Sequence, residues 1–159
     1  MINTREVTKI GIVAALYVVL CFVLQPISFG VIQVRLAEML YLLILKNKRY
    51  VYSLTIGCLI ANLASALGIV DIIFGTLSTF AVSMIIVYIK KKNLSIWLIP
   101  FVAGIMCGLV VGAELHLILG MPLIPSIISV AIGEFIAVTI GVVLYKQKSI
   151  QSALNRVAQ

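Results

Sequence analysis

The sequence predicts an all-α integral membrane protein, a single domain over residues 1–159 built as a bundle of six transmembrane helices. Three observations predict it. Of the 159 residues, 63% are hydrophobic and 11% charged, against about a quarter charged in soluble domains, and the mean hydropathy is +1.24. Apolar runs approaching the roughly 20 residues that cross a bilayer follow one another with short interruptions. Basic residues are segregated: Arg5, Lys9, Lys46, Lys48, Arg49, Lys90, Lys91, Lys92, Lys146, Lys148 and Arg156 fall before the first run, in every second connection, or after the last run. Arg35 departs from this pattern. By the positive-inside rule both termini lie in the cytoplasm.

The six segments are read at residues 7–24, 33–45, 51–67, 72–89, 96–116 and 124–145. Gln25-Pro26 ends the first, because the residue before proline is pushed out of the α region. The second is short and polar at its start. Gly68 can close the third and Asp71 can cap the fourth. Gly120, Pro122 and Pro125 separate the last two. The basic connections are then 46–50 and 90–94, and the outer ones 26–32, 68–71 and 117–123. No internal repeat is visible, so an inverted-repeat architecture gains no support. No cleavable signal peptide is expected, since the first run is long enough to span and no small-x-small site follows it.

The net charge of +7 does not point to nucleic acid, because the basic residues form short clusters between apolar runs and read as topology determinants and headgroup contacts. Cys21, Cys58 and Cys107 each sit inside an apolar run without Cys-x-x-Cys spacing. They read as small packing residues, with no disulfide framework and no zinc site. Gly104, Gly108 and Gly112 form a small-residue stripe on the fifth segment, and Gly11 with Ala15 a shorter one on the first. Such stripes let backbones approach closely, either inside the bundle or against a second membrane protein.

Four of the five acids (Glu38, Asp71, Glu114, Glu134) fall in the outer connections or within the runs. An ionisable group at mid-membrane costs about 2.5–3.5 kcal/mol on the insertion scale, so Glu134, mid-way along the sixth segment, requires protonation, a partner or a ligand. It is either a neutral carboxyl bonded to a neighbouring helix or a ligand-binding or proton-handling group. Arg35 and Glu38, three apart, can pair on one face, with Gln33 beside them. Asn62, with Ser65 on the same face, is either interhelical glue or a ligand contact. Asp71 can be simply a cap, and Glu114 and His116 can be simply solvated. Together these groups suit a cavity open to the outside and a small ligand rich in N–H donors, since a carboxylate offers two acceptor oxygens to a pair of N–H groups.

Enzyme signatures are missing. There is no His-Glu-x-x-His helix, no Gly-x-Ser-x-Gly and no P-loop, and a lone His116 builds no His-rich metal site. No cofactor and no metal is expected. Uphill transport would need an ion gradient or partner ATPases.

Several stretches occur together: Pro26-Ile27-Ser28-Phe29-Gly30 followed by Gln33-Val34-Arg35-Leu36-Ala37-Glu38, then Gly57-Cys58-Leu59-Ile60-Ala61-Asn62-Leu63, Asp71-Ile72-Ile73-Phe74-Gly75-Thr76-Leu77, and Gly133-Glu134. With Ala14-Ala15-Leu16-Tyr17-Val18-Val19 in the first segment, the chain resembles the QueT family, substrate-binding S components of energy-coupling-factor (ECF) transporters. The resemblance covers nearly the whole chain. It implies an S-component-like bundle in the bacterial cell membrane that captures a queuosine precursor, a 7-deazaguanine base, from outside. It implies docking on a transmembrane coupling subunit with two cytoplasmic ATPases, which would hydrolyse the ATP. In S components small residues at four-residue spacing on the first helix face the coupling subunit. Gly11 and Ala15 occupy that pattern here, with glycine in place of the usual first alanine.

This ligand class suits the acids. A guanine-like edge presents adjacent N–H donors that one carboxylate can bridge, and carbon at position 7 removes one leg of the usual Arg fork. For the ligand that the resemblance implies, Glu134 is assigned to the guanine-like edge and Asn62 to the carbonyl region, with Glu38 or Asp71 handling the substituent or closing the site. Arg35, Gln33, Glu114 and His116 complete the candidate set. Phe29, Phe74 or Trp97 could stack on the base, although Trp97 lies near the inner side and suits an interface anchor. Open alternatives are an S component for another vitamin, a proton-coupled carrier using Glu134, and a structural subunit of a membrane complex.

Overall fold

The computed structural model describes residues 4–24 and 35–152. In chain order these form α1 (Thr4–Val23), a 3₁₀ helix (Leu36–Leu45), α2 (Tyr50–Asn62), a π turn (Asp71–Gly75) running into α3 (Thr76–Lys91), α4 (Leu98–Leu119) and α5 (Leu123–Lys146). No strand occurs among the described residues. Four segments are long and apolar enough to cross a membrane: Thr4–Val23, Asp71–Lys91, Leu98–Leu119 and Leu123–Lys146. The second and third predicted segments are shorter. Thirteen α-helical residues rise about 20 Å at 1.5 Å each, and ten 3₁₀ residues about the same at 2.0 Å each.

The 3₁₀ form of the second segment has a consequence for the core. With three residues per turn, side chains three apart eclipse one another. Glu38, Tyr41 and Ile44 therefore form one ridge, continued back by Arg35, and all four are buried. A polar entrance to this segment is thereby directed inward.

Each long helix buries one face and leaves large apolar side chains on the other. On α1 the buried residues are Ala14, Tyr17 and Cys21, while Ile12, Leu16, Val19 and Phe22 face outward. A helix apolar all round is what lipid surroundings require. The main core joins Tyr17, Tyr41, Leu54, Cys58, Val82, Ile86, Ile99 and Val138.

The two glycine stripes have different fates. The one on α4 is internal: a Cβ at Gly112 would stand 2.6 Å from Ile127 Cα, and one at Gly108 would stand 2.8 Å from Ala131 Cβ. These glycines let α4 and α5 touch backbone to backbone. Gly11 is exposed with nothing within 4 Å of its would-be Cβ, and Ala15 is exposed beside it.

The basic ends meet at one end of the bundle. Arg49 pairs with Glu6, Lys46 bonds Gln151 and lies over the Tyr145 ring, and Lys146 lies 4.8 Å from the Trp97 ring centroid. A shallow cavity joins Leu45, Ile89, Lys90 and Tyr145 there. At the far end Gly120, with φ +68°, stops α4: its N–H and that of Met121 reach back to the His116 and Leu115 carbonyls.

Two of the differences from the sequence reading bear on the site. The third segment ends at Asn62, not Leu67, and continues as tight turns in which Leu63, Ala64 and Ser65 each bond three residues back. Asp71 is no helix cap. It is the first residue of the π turn, with Val70 in the cap position, and sends its carboxylate to Arg35.

Gly112→Ala is expected to destabilise the purified protein by roughly 1–3 kcal/mol, because the obstructing atoms are backbone. Gly11→Ala, which meets open space, should leave the melting temperature in detergent unchanged. Equal melting for the two variants would refute the assignment of the α4 stripe to internal packing.

Candidate buried carboxylate site

Four of the protein's five acids lie inside the bundle. Glu38, Asp71, Glu114 and Glu134 are at most 4% exposed, and Arg35 is 3% exposed among them. Burial of this many ionisable groups in an apolar interior demands specific partners.

Arg35 and Asp71 form the outer tier. The guanidinium Nη2 donates to both Asp71 oxygens, at 3.2 and 3.0 Å. The expected pairing of Arg35 with Glu38 is thus corrected: the ion pair joins the 3₁₀ helix to the π turn. Local spacing permitted a pair three residues apart, but Asp71 supplies an anion with no competing donors of its own. Asn62 holds the same turn from α2, donating through Nδ2 to the Asp71 carbonyl at 2.9 Å. Its amide is therefore engaged as interhelical glue. Gly75 sits where a Cβ would collide with Asp71 Oδ1 and come within 2.9 Å of Asn62 Nδ2. The Asp-x-x-x-Gly spacing of the π turn thus has a steric cause.

The inner tier centres on Glu38. Its Oε1 receives the Tyr17 hydroxyl and the Thr79 hydroxyl, each at 3.4 Å, and its Oε2 the Cys107 thiol at 3.8 Å. Glu134, midway along α5, joins it: a Glu38 oxygen, Cys107 Sγ and a Glu134 oxygen lie within 4.8 Å of one another. Two carboxylates this close repel unless a proton, a cation or a donor-rich ligand lies between them. Glu134 Oε2 is buried without a hydrogen-bond partner among the described residues, so acceptor capacity is left open. These three groups could also ligate a cation.

Cys58 links the tiers. Its sulfur is approached by the Thr79 hydroxyl at 3.2 Å, the Asn62 amide at 3.4 Å and the Arg35 guanidinium at 4.0 Å. Reading the cysteines as inert packing missed this role, as it missed Tyr17, Thr79 and Cys107. One signal was available: Cys58 and Asn62 are four apart and share a helical face.

Other expected site residues lie elsewhere. His116 is exposed, and its Nδ1 stands 2.7 Å from the Met121 carbonyl, bracing the turn after α4. Gln33 and Phe29 lie outside the described residues. Phe74 is half-exposed on the bundle surface, and Trp97 sits at the basic end. Glu114, in contrast, is buried and not solvated.

Residues 7–149 match the family model described as QueT transporter. The chain belongs to the QueT transporter family. That is a family of transporters, not of enzymes. A relative named queuosine precursor transporter QueT, from Lactococcus lactis subsp. cremoris (strain MG1363), is 47% identical over 79 residues, covering 48% of this chain and 46% of the relative. The match thus spans about half the length of that relative. No solved structure matches the chain.

Asp71→Asn removes the carboxylate charge that faces the buried Arg35, and is expected to destabilise the protein by roughly 3–5 kcal/mol. The double variant Arg35→Met with Asp71→Leu should be markedly more stable than Asp71→Asn, because it removes both charges. Thermal melts in detergent compare them. A double variant no better than the single one would show that the pair is not the source of the loss.

Proposed function

We propose that the chain is the substrate-binding subunit (S component) of an ECF-type importer that captures a queuosine precursor, a 7-deazaguanine base, from outside a bacterial cell. The observation that carries this reading is the buried Glu38–Glu134 pair with its open acceptor at Glu134 Oε2, in a chain of the QueT transporter family. A carboxylate bridging two adjacent N–H groups makes charge-assisted hydrogen bonds about twice as strong as neutral ones. The donor edge of a guanine-like base offers such a pair. Glu134 takes that edge in this reading. Arg35, Asp71 and Asn62 hold the frame of the site, because their polar groups are already bonded to one another.

Six spans with both termini in the cytoplasm belong to the same reading. The four long helices are joined by the 3₁₀ helix and α2 as thinner crossings, and the basic end faces the cytoplasm by the positive-inside rule. The exposed Gly11–Ala15 face of α1 then meets a transmembrane coupling subunit, which carries two cytoplasmic ATPases. Its flatness supports the assignment, since small residues permit close helix approach in lipid.

The close pair of carboxylates also favours one other reading, a proton-coupled carrier in which Glu134 exchanges a proton. Uptake that survives loss of the ATPases but collapses with the proton gradient would support it.

Titration of the detergent-purified protein with 7-deazaguanine bases, guanine and common vitamins tests the main reading. Tight binding of a deazaguanine is expected, and Glu134→Gln should weaken it ~10-fold or more, since a charged double acceptor is lost. Unaltered affinity in that variant would remove Glu134 from the site. A vitamin hit with no deazaguanine binding would change the substrate and keep the subunit assignment.

Gly11→Leu should leave ligand binding and melting temperature unaltered and abolish co-purification with a coupling subunit. Retained co-purification would place the docking face elsewhere.

A further inference from the structure

Glu114 is the buried acid that the rest of the bundle leaves unanswered. Asp71 has the Arg35 fork. Glu38 has two hydroxyls and a thiol, and Glu134 lies against Glu38. Both oxygens of Glu114 are buried without a hydrogen-bond donor among the described residues. Its flanks are apolar, with Val111 and Leu115 on its own helix packed in a cluster with Leu67 and Val130. The charged groups that act on it are Asp71, which repels it, and Arg35, which Asp71 already holds.

The charge balance points the same way. Among the described residues four buried carboxylates face one buried guanidinium. A proton between Glu38 and Glu134 would neutralise one further charge and leave Glu114 still unbalanced. A carboxylate in such a place is completed by a cation that brings several N–H donors, and an ammonium supplies three.

We propose that Glu114 is a specificity-determining residue that selects ligands carrying a primary ammonium group over neutral ligands of the same shape. The inference rests on the reading of this chain as a substrate-binding subunit and assigns the substituent to a residue other than Glu38 or Asp71, whose oxygens are engaged. The position suits the role. Glu114 stands seven residues beyond Cys107 on α4, about 10 Å along the axis, and Cys107 belongs to the Glu38–Glu134 cluster. A flat bicyclic base with its donor edge at Glu134 and a one-carbon amine arm directed toward Glu114 bridges a gap of that order.

Binding of 7-aminomethyl-7-deazaguanine and of its neutral 7-cyano counterpart to the full-length purified chain tests the proposal. The wild-type protein is expected to prefer the amine by ~10-fold or more, the scale of one charge-assisted contact in a dry site. Glu114→Gln should abolish that preference by weakening the amine alone, with the nitrile bound as before to within about 2-fold. A wild-type protein that binds both bases equally, or a Gln variant that keeps the preference, overturns the role of Glu114 and leaves the substrate-binding reading intact. A wild-type protein that binds neither base overturns the role of Glu114 together with the deazaguanine substrate, and the vitamin titration then decides whether the subunit assignment stands. Should Glu114→Gln fail to fold, Glu114→Asp decides, because it keeps the charge but withdraws it by one methylene. The preference must then shrink while nitrile binding persists, and an unaltered ratio overturns the proposal.

Discussion

The ion pair between Arg35 and Asp71 is the constraint on which the rest of the site depends. It joins the entrance of the 3₁₀ helix to the π turn that opens α3, two short irregular elements with little regular packing of their own. Removing one partner from such a buried pair is costly, because the other is left as an uncompensated charge. The pair therefore restricts how the 3₁₀ helix can sit. Once Arg35 is placed, the three-residue period carries Glu38 and Tyr41 into the core along the same ridge.

The irregular elements and the polar groups occur together for a physical reason. A regular α-helix satisfies its backbone internally and presents side chains at fixed angles. The π turn widens the helix at Asp71, and its carbonyl accepts the Asn62 amide, while Gly75 leaves room for the carboxylate. α4 and α5, regular throughout, supply a rigid wall. Their glycine-mediated contact holds Cys107, Glu114 and Glu134 at set depths. Mobile loops are not needed to build the inner tier, because every member stands on a helix.

Parts of this were legible beforehand for stated reasons. The long helices follow from apolar runs whose length is dictated by the bilayer, and the buried acids Glu38 and Glu134 stood out because charge in such runs is expensive. The misreadings share a cause as well. An Arg35–Glu38 pair and an Asp71 cap are what the sequence offers, because local spacing shows only near neighbours. The actual partners are 36 residues apart. Cys58 and Cys107 read as packing residues, and Thr79 draws no reading at all, because a small side chain in an apolar run has no distinguishing spacing. The sequence leaves Glu114 open between a solvated residue and a site residue because it lies near a helix end, and nothing in one dimension tells which face of that helix turns inward.

By itself the sequence determined that this chain belongs in a membrane, which end of the bundle carries the positive charge, and which acids needed an explanation. Those are properties of composition and one-dimensional order, set by the transfer cost of each residue. Tertiary structure alone decided how the acids divide their partners: Asp71 to Arg35, Glu38 to Tyr17 and Thr79, Glu134 to Glu38, and Glu114 to none of the described residues. Hydrogen bonds and charge pairing depend on distances of a few ångströms between segments far apart in the chain, and only the packed bundle sets those distances.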